Sequence, residues 1–271
     1  MKKIITTILI STLIWLPSVV VLHASGITLV SHNTCQTTTQ TTTSSCTTPT
    51  GSSTATANLI VICSAYLKYY ASTLSVVDST SDTLVHAPTT DVCDGAGVSC
   101  LAGYYVFNPT TNANYTVTIT TGNAQLFNGS VWWAAYSGTN STPTPTTTTA
   151  TVAGTGGGSQ TLQPGSQTPS ANGALIHTCA GSWDYGSVTY SITGGPTSPL
   201  DQQTSSAGYM NGADAEFVQT TAAAVNPTWT DSSPRQMTAW MGVFYASGGG
   251  SSGPPTAIFN MPLFGGGGYV H

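Results

Sequence analysis

Charge is what this sequence has least of. Asp, Glu, Lys and Arg make up 5% of its 271 residues, against about a quarter in ordinary globular domains. Basic residues are the scarcest, 4 in all, and Lys2 and Lys3 lead the chain, which leaves Lys68 and Arg235 for the body. Affinity for nucleic acid rests on several Lys and Arg meeting phosphates, so nucleic acid is a very poor candidate partner. Glu216 is the sole glutamate. There is no C-x-x-C pair, which counts against a zinc site, and no P-loop. No cofactor is expected. No stretch has the apolar periodicity of an amphipathic helix of ten or more residues. Beyond the N-terminal stretch, no apolar run is long enough to span a membrane.

That N-terminal stretch reads as a targeting segment. Lys2 and Lys3 form a basic start, Ile4 to Leu22 is largely apolar, and Ala24-Ser25-Gly26 offers a small-x-small cleavage site. The reading is a signal peptide over 1–26. The rival is an uncleaved membrane anchor, which Pro17 and the scattered Thr and Ser count against. Residues 27–247 form one β domain and 248–271 a tether with an apolar end. A chain of this length buries enough surface for one large core. Polarity comes from Thr, Ser, Asn, Gln and Gly instead of charge.

The 6 cysteines are even in number and follow a signal peptide, so disulfides are the default. Spacing favours Cys35–Cys46 and Cys93–Cys100 as local staples. That leaves Cys63 with Cys179. Both lie in a repeated pattern, Leu59-Ile60-Val61-Ile62-Cys63 and Leu175-Ile176-His177-Thr178-Cys179. Similar aromatic strands close each half, Val131–Gly138 and Ala239–Gly248, and Asn108-Pro109-Thr110 is echoed by Asn226-Pro227-Thr228. Two related half-units in one body account for these matches.

Short strands with frequent turns fill the rest. Apolar residues on both faces of 57–67 predict a strand covered on both sides. Leu74–Val77 and Thr83–His86 flank an Asp-initiated turn and read as a hairpin. Tyr115–Thr120 alternates with period two, a half-buried strand. The expected fold is an all-β, antiparallel two-sheet β-sandwich, jelly-roll-like and disulfide-stapled.

Candidate chemistry is thin. Asn114, Asn128 and Asn140 head N-glycosylation sequons. Asp214 and Glu216 stand two apart, so on a strand they share a face. Such a pair serves a glycosidase or a calcium ion, against a simpler reading as solvated side chains on an outer sheet face. Asp78 and Asp82 read as turn caps, and His177 as a hydrogen-bonded interior histidine. Trp132 and Trp133 are adjacent, so in one strand they point to opposite faces and only one belongs to a core. Exposed aromatics stack on sugars, and Trp183, Tyr185, Asp214 and Glu216 form the candidate ligand face.

Several stretches resemble a loose set of uncharacterised secreted or phage-associated β-sandwich surface proteins. They are Ala57-Asn58-Leu59-Ile60-Val61, Val77-Asp78-Ser79, Tyr104-Tyr105-Val106, Ala134-Ala135-Tyr136-Ser137-Gly138 and the run from Gln219 to Trp229. The likeness covers most of 27–247. It implies an extracellular sandwich and carries over no catalytic residues. The expected function is therefore non-enzymatic: adhesion to an extracellular glycan or to a cell or virion surface. The alternative is a filament subunit that self-associates by strand exchange, with 256–264 as the donated strand. The tether of nine residues before it, 247–255, has an average reach of roughly 15–18 Å. A glycan-active hydrolase is the weakest reading.

Overall fold

A computed structural model of the chain describes residues 26–37, 41–68, 73–88, 91–94, 99–127, 129–142, 144–152, 159–184, 188–203, 209–232 and 236–247. The expected leader, the apolar tail and Tyr185 and Asn128 lie outside the described residues. The first half supplies β1 (Thr28–Gln36), β2 (Thr41–Thr47), β3 (Leu59–Leu67), β4 (Thr73–Asp78), β5 (Val85–His86), β6 (Val92–Cys93), β7 (Ser99–Phe107), β8 (Val117–Phe127) and β9 (Gly129–Ser137). The second supplies β10 (Thr139–Asn140), β11 (Thr146–Val152), β12 (Gln160–Leu162), β13 (Ala174–Asp184), β14 (Tyr190–Thr193), β15 (Asp201–Gln203), β16 (Tyr209–Gln219), β17 (Thr228–Asp231) and β18 (Met237–Ala246). All pairings are antiparallel, and no helix occurs among the described residues.

The halves repeat one topology. The first makes a large sheet in the order β1-β9-β3-β7-β5, with β6 also on β7, and a small sheet β2-β8-β4. The second makes β10-β18-β13-β16-β15, with β11 also on β18, and a small sheet β12-β17-β14. In each large sheet the half's last strand separates its opening strand from the strand that carries the twin cysteine. This is the interleaved order of a jelly roll. The expected Leu74–Val77/Thr83–His86 hairpin does not form: β4 pairs with β8 and β5 with β7, in different sheets. The connecting turn is as expected, because Asp78 Oδ1 accepts from the backbone N–H groups of Thr80 and Asp82. A capped turn fixes where the chain reverses but not which sheet it re-enters.

Four sheets stack in layers, with the large sheets face to face in the middle. Leu59, Val61, Cys63, Ala65, Trp132 and Tyr136 of the first half meet Leu175, Cys179, Met210, Trp240 and Phe244 of the second. Ile60, Ile62, Val131, Trp133 and Ala135 turn the other way, onto Tyr115, Val117 and Ile119 of the small-sheet side. The outer face of the second large sheet carries Ala180, Ala213, Ala215 and Ala239 against Trp229, Tyr190 and Ile192. Central strands are thus covered on both faces, and every residue of β3 and β18 is buried. This explains their unbroken apolar runs. It also corrects the expectation for Trp132 and Trp133: both are fully buried, because β9 has a core on each side. Burying each indole contributes roughly 4–6 kcal/mol. Trp133 Nε1 donates to Thr48 Oγ1 at 3.1 Å and Trp229 Nε1 to Thr178 Oγ1 at 3.0 Å, whereas Trp132 Nε1 has no hydrogen-bond partner among the described residues.

The contact between the halves resembles that of a two-fold dimer. Equivalent residues meet each other, the mark of an isologous interface. Cys63 bonds Cys179, and Ala65 lies against its counterpart Gly181. Trp132 stands opposite Cys63 in the ladder as Trp240 stands opposite Cys179. Each indole presses on a glycine of the other half: a Cβ on Gly212 would lie 2.4 Å from the Trp132 ring, and one on Gly103 would lie 2.4 Å from that of Trp240. Asn58 fastens the junction, donating to Thr139 O and accepting from the Thr139 hydroxyl. The two ends of the folded body meet at Gly138, whose carbonyl accepts from Ser247 N and whose α-carbon closes on Gly26.

Candidate functional site

Acid and base groups are few, yet several gather between the halves. Asp214 and Glu216 share a face of β16, as their spacing requires, and that face is the inner one. The ladder sets Asp214 opposite Cys179 and Glu216 opposite His177. Asp214 and His177 have no exposed surface. The expectation of solvated side chains on an outer face is therefore wrong. Strand alternation fixes which residues share a face, but not which face is covered.

The first half completes the cluster. Tyr136 of β9 shares a 2.8 Å hydrogen bond with His177 Nδ1 and another with the Glu216 carboxylate. His177 Nε2 lies 3.6 Å from Asp214 Oδ2, beyond hydrogen-bond reach, and neither atom has another hydrogen-bond partner among the described residues. Asp214 Oδ1 accepts from Asp201 N at 3.0 Å. The Asp201 carboxylate in turn holds His32 Nδ1 of β1 at 2.7 Å. The cluster runs from the half-exposed His32 at the rim to the sealed His177.

Burial sets its electrostatics. It holds the His177 imidazole down to about 3. It pushes the Asp214 carboxyl well above the carboxylate range, with the nearby Asp201 and Glu216 charges adding to the effect. Glu216 is also raised by burial, partly offset by the Tyr136 hydroxyl and the His32 charge. An uncharged imidazole thus faces a carboxyl whose burial favours the protonated form. This is the arrangement expected where water cannot solvate either ion.

The other expected site residues are dispersed. Trp183 is half-buried and packs on the core between the large sheets. Asn114 is exposed, whereas Asn140 is half-buried and its Oδ1 accepts from Thr142 N. All three disulfides form as expected: Cys35–Cys46, Cys63–Cys179 and Cys93–Cys100, with Cα separations of 6.2, 6.6 and 4.1 Å. Sequence reasoning missed a second acid–imidazole pair, His86 Nε2 to Asp91 Oδ1 at 2.9 Å, on which Tyr66 also donates to Asp91. The His86 ring stacks on Tyr104 at 4.5 Å. Burial alone would raise Asp91, but the bonds from His86 and Tyr66 hold it below the usual value. Among the described residues no group of three or more His, Cys, Asp or Glu is placed to hold a metal ion. No helix of the described residues is long and apolar enough to cross a membrane. The chain matches no protein-family model, no curated protein and no solved structure.

Proposed function

We propose that this chain is a secreted, non-enzymatic surface protein that adheres to an extracellular glycan or to a cell or virion surface. The observation that carries the reading is where the polar chemistry lies. The innermost acid–base groups between the halves, Asp214 and His177, have no exposed surface. A general acid has to come within hydrogen-bond reach of its substrate, so the Asp214–Glu216 pair lends a hydrolase no support. The outer strands instead expose hydroxyl residues, as at Ser45 and Thr47 of β2 and Thr146 and Thr151 of β11. A shell of hydroxyls and amides suits many weak hydrogen bonds to sugars. Three disulfides suit an oxidising compartment. Glycan-array binding of residues 27–271 tests the reading. Saturable binding that survives Glu216→Gln is expected, and no binding to any glycan or cell surface would refute it.

One observation favours filament assembly as a second reading. The edge strand β11 pairs with β18 over Thr146–Val152 without a register shift, and it carries no charge. Natural sheet edges are usually blocked by Lys, Pro or bulges, and an unblocked edge accepts a strand from a neighbour. Concentration-dependent filaments in electron micrographs, lost on deleting 248–271, would favour this reading over adhesion by the monomer.

A further inference from the structure

Among the described residues, the interface between the halves carries carboxyl and imidazole groups on one side of its pseudo-two-fold axis only. By register, Val61, Gly103 and Tyr105 hold in the first half the places of His177, Asp214 and Glu216 in the second. Phe244 likewise stands where Tyr136 does. That side is filled with rings: Tyr105 and Phe107 meet Phe244 edge-on at 5.6 and 6.3 Å. One backbone arrangement therefore accepts two fillings. Replacing a buried polar cluster by well-packed apolar side chains is often neutral or stabilising. The polar filling is the more costly of the two solutions this fold displays, so packing alone does not account for it.

The groups facing the cluster are His32 from β1, Tyr136 from β9, His177 from β13, Asp201 from β15, and Asp214 and Glu216 from β16. The described residues that β3 and β18 contribute to the core between the large sheets carry no titratable group. We propose that Tyr136, His177, Asp214 and Glu216 form a pH-operated clasp. It closes this side of the interface in acid and neutral solution and loosens it in alkaline solution. The Cys63–Cys179 bond and the Tyr105–Phe107–Phe244 packing are the hinge. When Asp214 loses its proton, Oδ2 becomes a buried anion without a hydrogen bond, 3.6 Å from His177 Nε2 and with Glu216 beside it on the same strand. Water can relieve that charge only if β15 and β16 draw away from β1 and β9.

Hydrogen–deuterium exchange on the intact disulfide-bonded chain tests this, with rates corrected for the intrinsic pH dependence of amide exchange. Protection over β1, β15 and β16 is expected to fall at least about tenfold between about pH 6 and about pH 9, while β3 and β7 stay unchanged. Asp214→Asn keeps the shape and cannot ionise, so its protection is expected to stay level. Unchanged protection in the wild-type chain overturns the proposal, as does equal loosening in D214N. A second readout needs no variant. The infrared carbonyl band of a protonated carboxylic acid is expected near neutral pH and is expected to fade as pH rises. Its absence near neutral pH would equally overturn the clasp.

Discussion

Removing the three disulfides one at a time should rank them by position. In the chain-entropy view a crosslink stabilises by restricting the unfolded chain, and more so for longer loops. Cys63–Cys179 closes a separation of 116 residues, Cys35–Cys46 one of 11 and Cys93–Cys100 one of 7. The corresponding contributions are about 5, about 3 and about 2 kcal/mol. The central pair has a second term. Both of its cysteines are fully buried at the meeting of the large sheets, so Cys63→Ala with Cys179→Ala also leaves a gap between Trp132 and Trp240. The double variant is therefore expected to lose at least 5 kcal/mol, which approaches the whole stability of many domains. Urea unfolding of the three alanine pairs, with midpoints and slopes compared, measures the order. Unchanged stability in the central variant, or a loss smaller than that of the Cys93/Cys100 pair, would refute the reasoning. It would mean that the halves hold together without the crosslink in the unfolded chain as well.

Gly212→Ala should be harsher than Gly103→Ala. Its new Cβ would lie 2.5 Å from the Ala180 carbonyl oxygen as well as 2.4 Å from the Trp132 ring, whereas the nearest atoms to one on Gly103 all belong to the Trp240 side chain; a loss of roughly 1–3 kcal/mol or more is expected at 212, read as a fall in Tm. Tyr115→Phe removes the 3.0 Å bond to the Asp78 carboxylate beneath the small sheet and should cost about 1–2 kcal/mol in urea unfolding. Global stability should peak near the ordinary carboxylate values of about 4 and should not rise between there and about pH 6.5, because two raised carboxyls outweigh one depressed imidazole. The raised Asp214 and Glu216 keep protons the unfolded chain gives up, so their contribution is lost as pH rises. The depressed His177 contributes above the ordinary imidazole value, and that contribution is lost as pH falls toward about 3. A stability profile level from acid to alkaline would contradict both assignments. Glu216→Gln should change any measured glycan affinity by less than about tenfold.

Much of the frame is legible in the sequence because it rests on local rules. The twin Leu-Ile-x-x-Cys strands announce themselves by doubly apolar runs, and cysteine spacing leaves Cys63 to Cys179. The Asp78 turn follows from side-chain chemistry within four residues. His177 reads as interior because Leu175 and Cys179 share its face. What escapes is layer order. Nothing local says that β9 has a core on both sides, so the adjacent Trp132 and Trp133 look like one buried ring and one exposed. The same gap hides the cluster. His32 and Asp201 are 169 residues apart, and Asp214–Glu216 looks solvated until the other half covers it. Composition did hold one hint: with so few charges available, two carboxylates on one strand face invite a question about their neighbours.

The meeting of Gly26 and Ser247 at Gly138 gives the molecule a direction under load. A force applied through those two points peels strand ends apart instead of sliding whole strands past one another. The hydrogen bonds between β1 and β9 then fail one after another, not together. Extension stops early, because Cys63–Cys179 ties off the 116 residues of separation between them. However hard the ends are pulled, that middle stretch cannot lengthen while the bond survives. The protein would yield softly at first and then become an inextensible knot, holding most of its first half and the junction to its second.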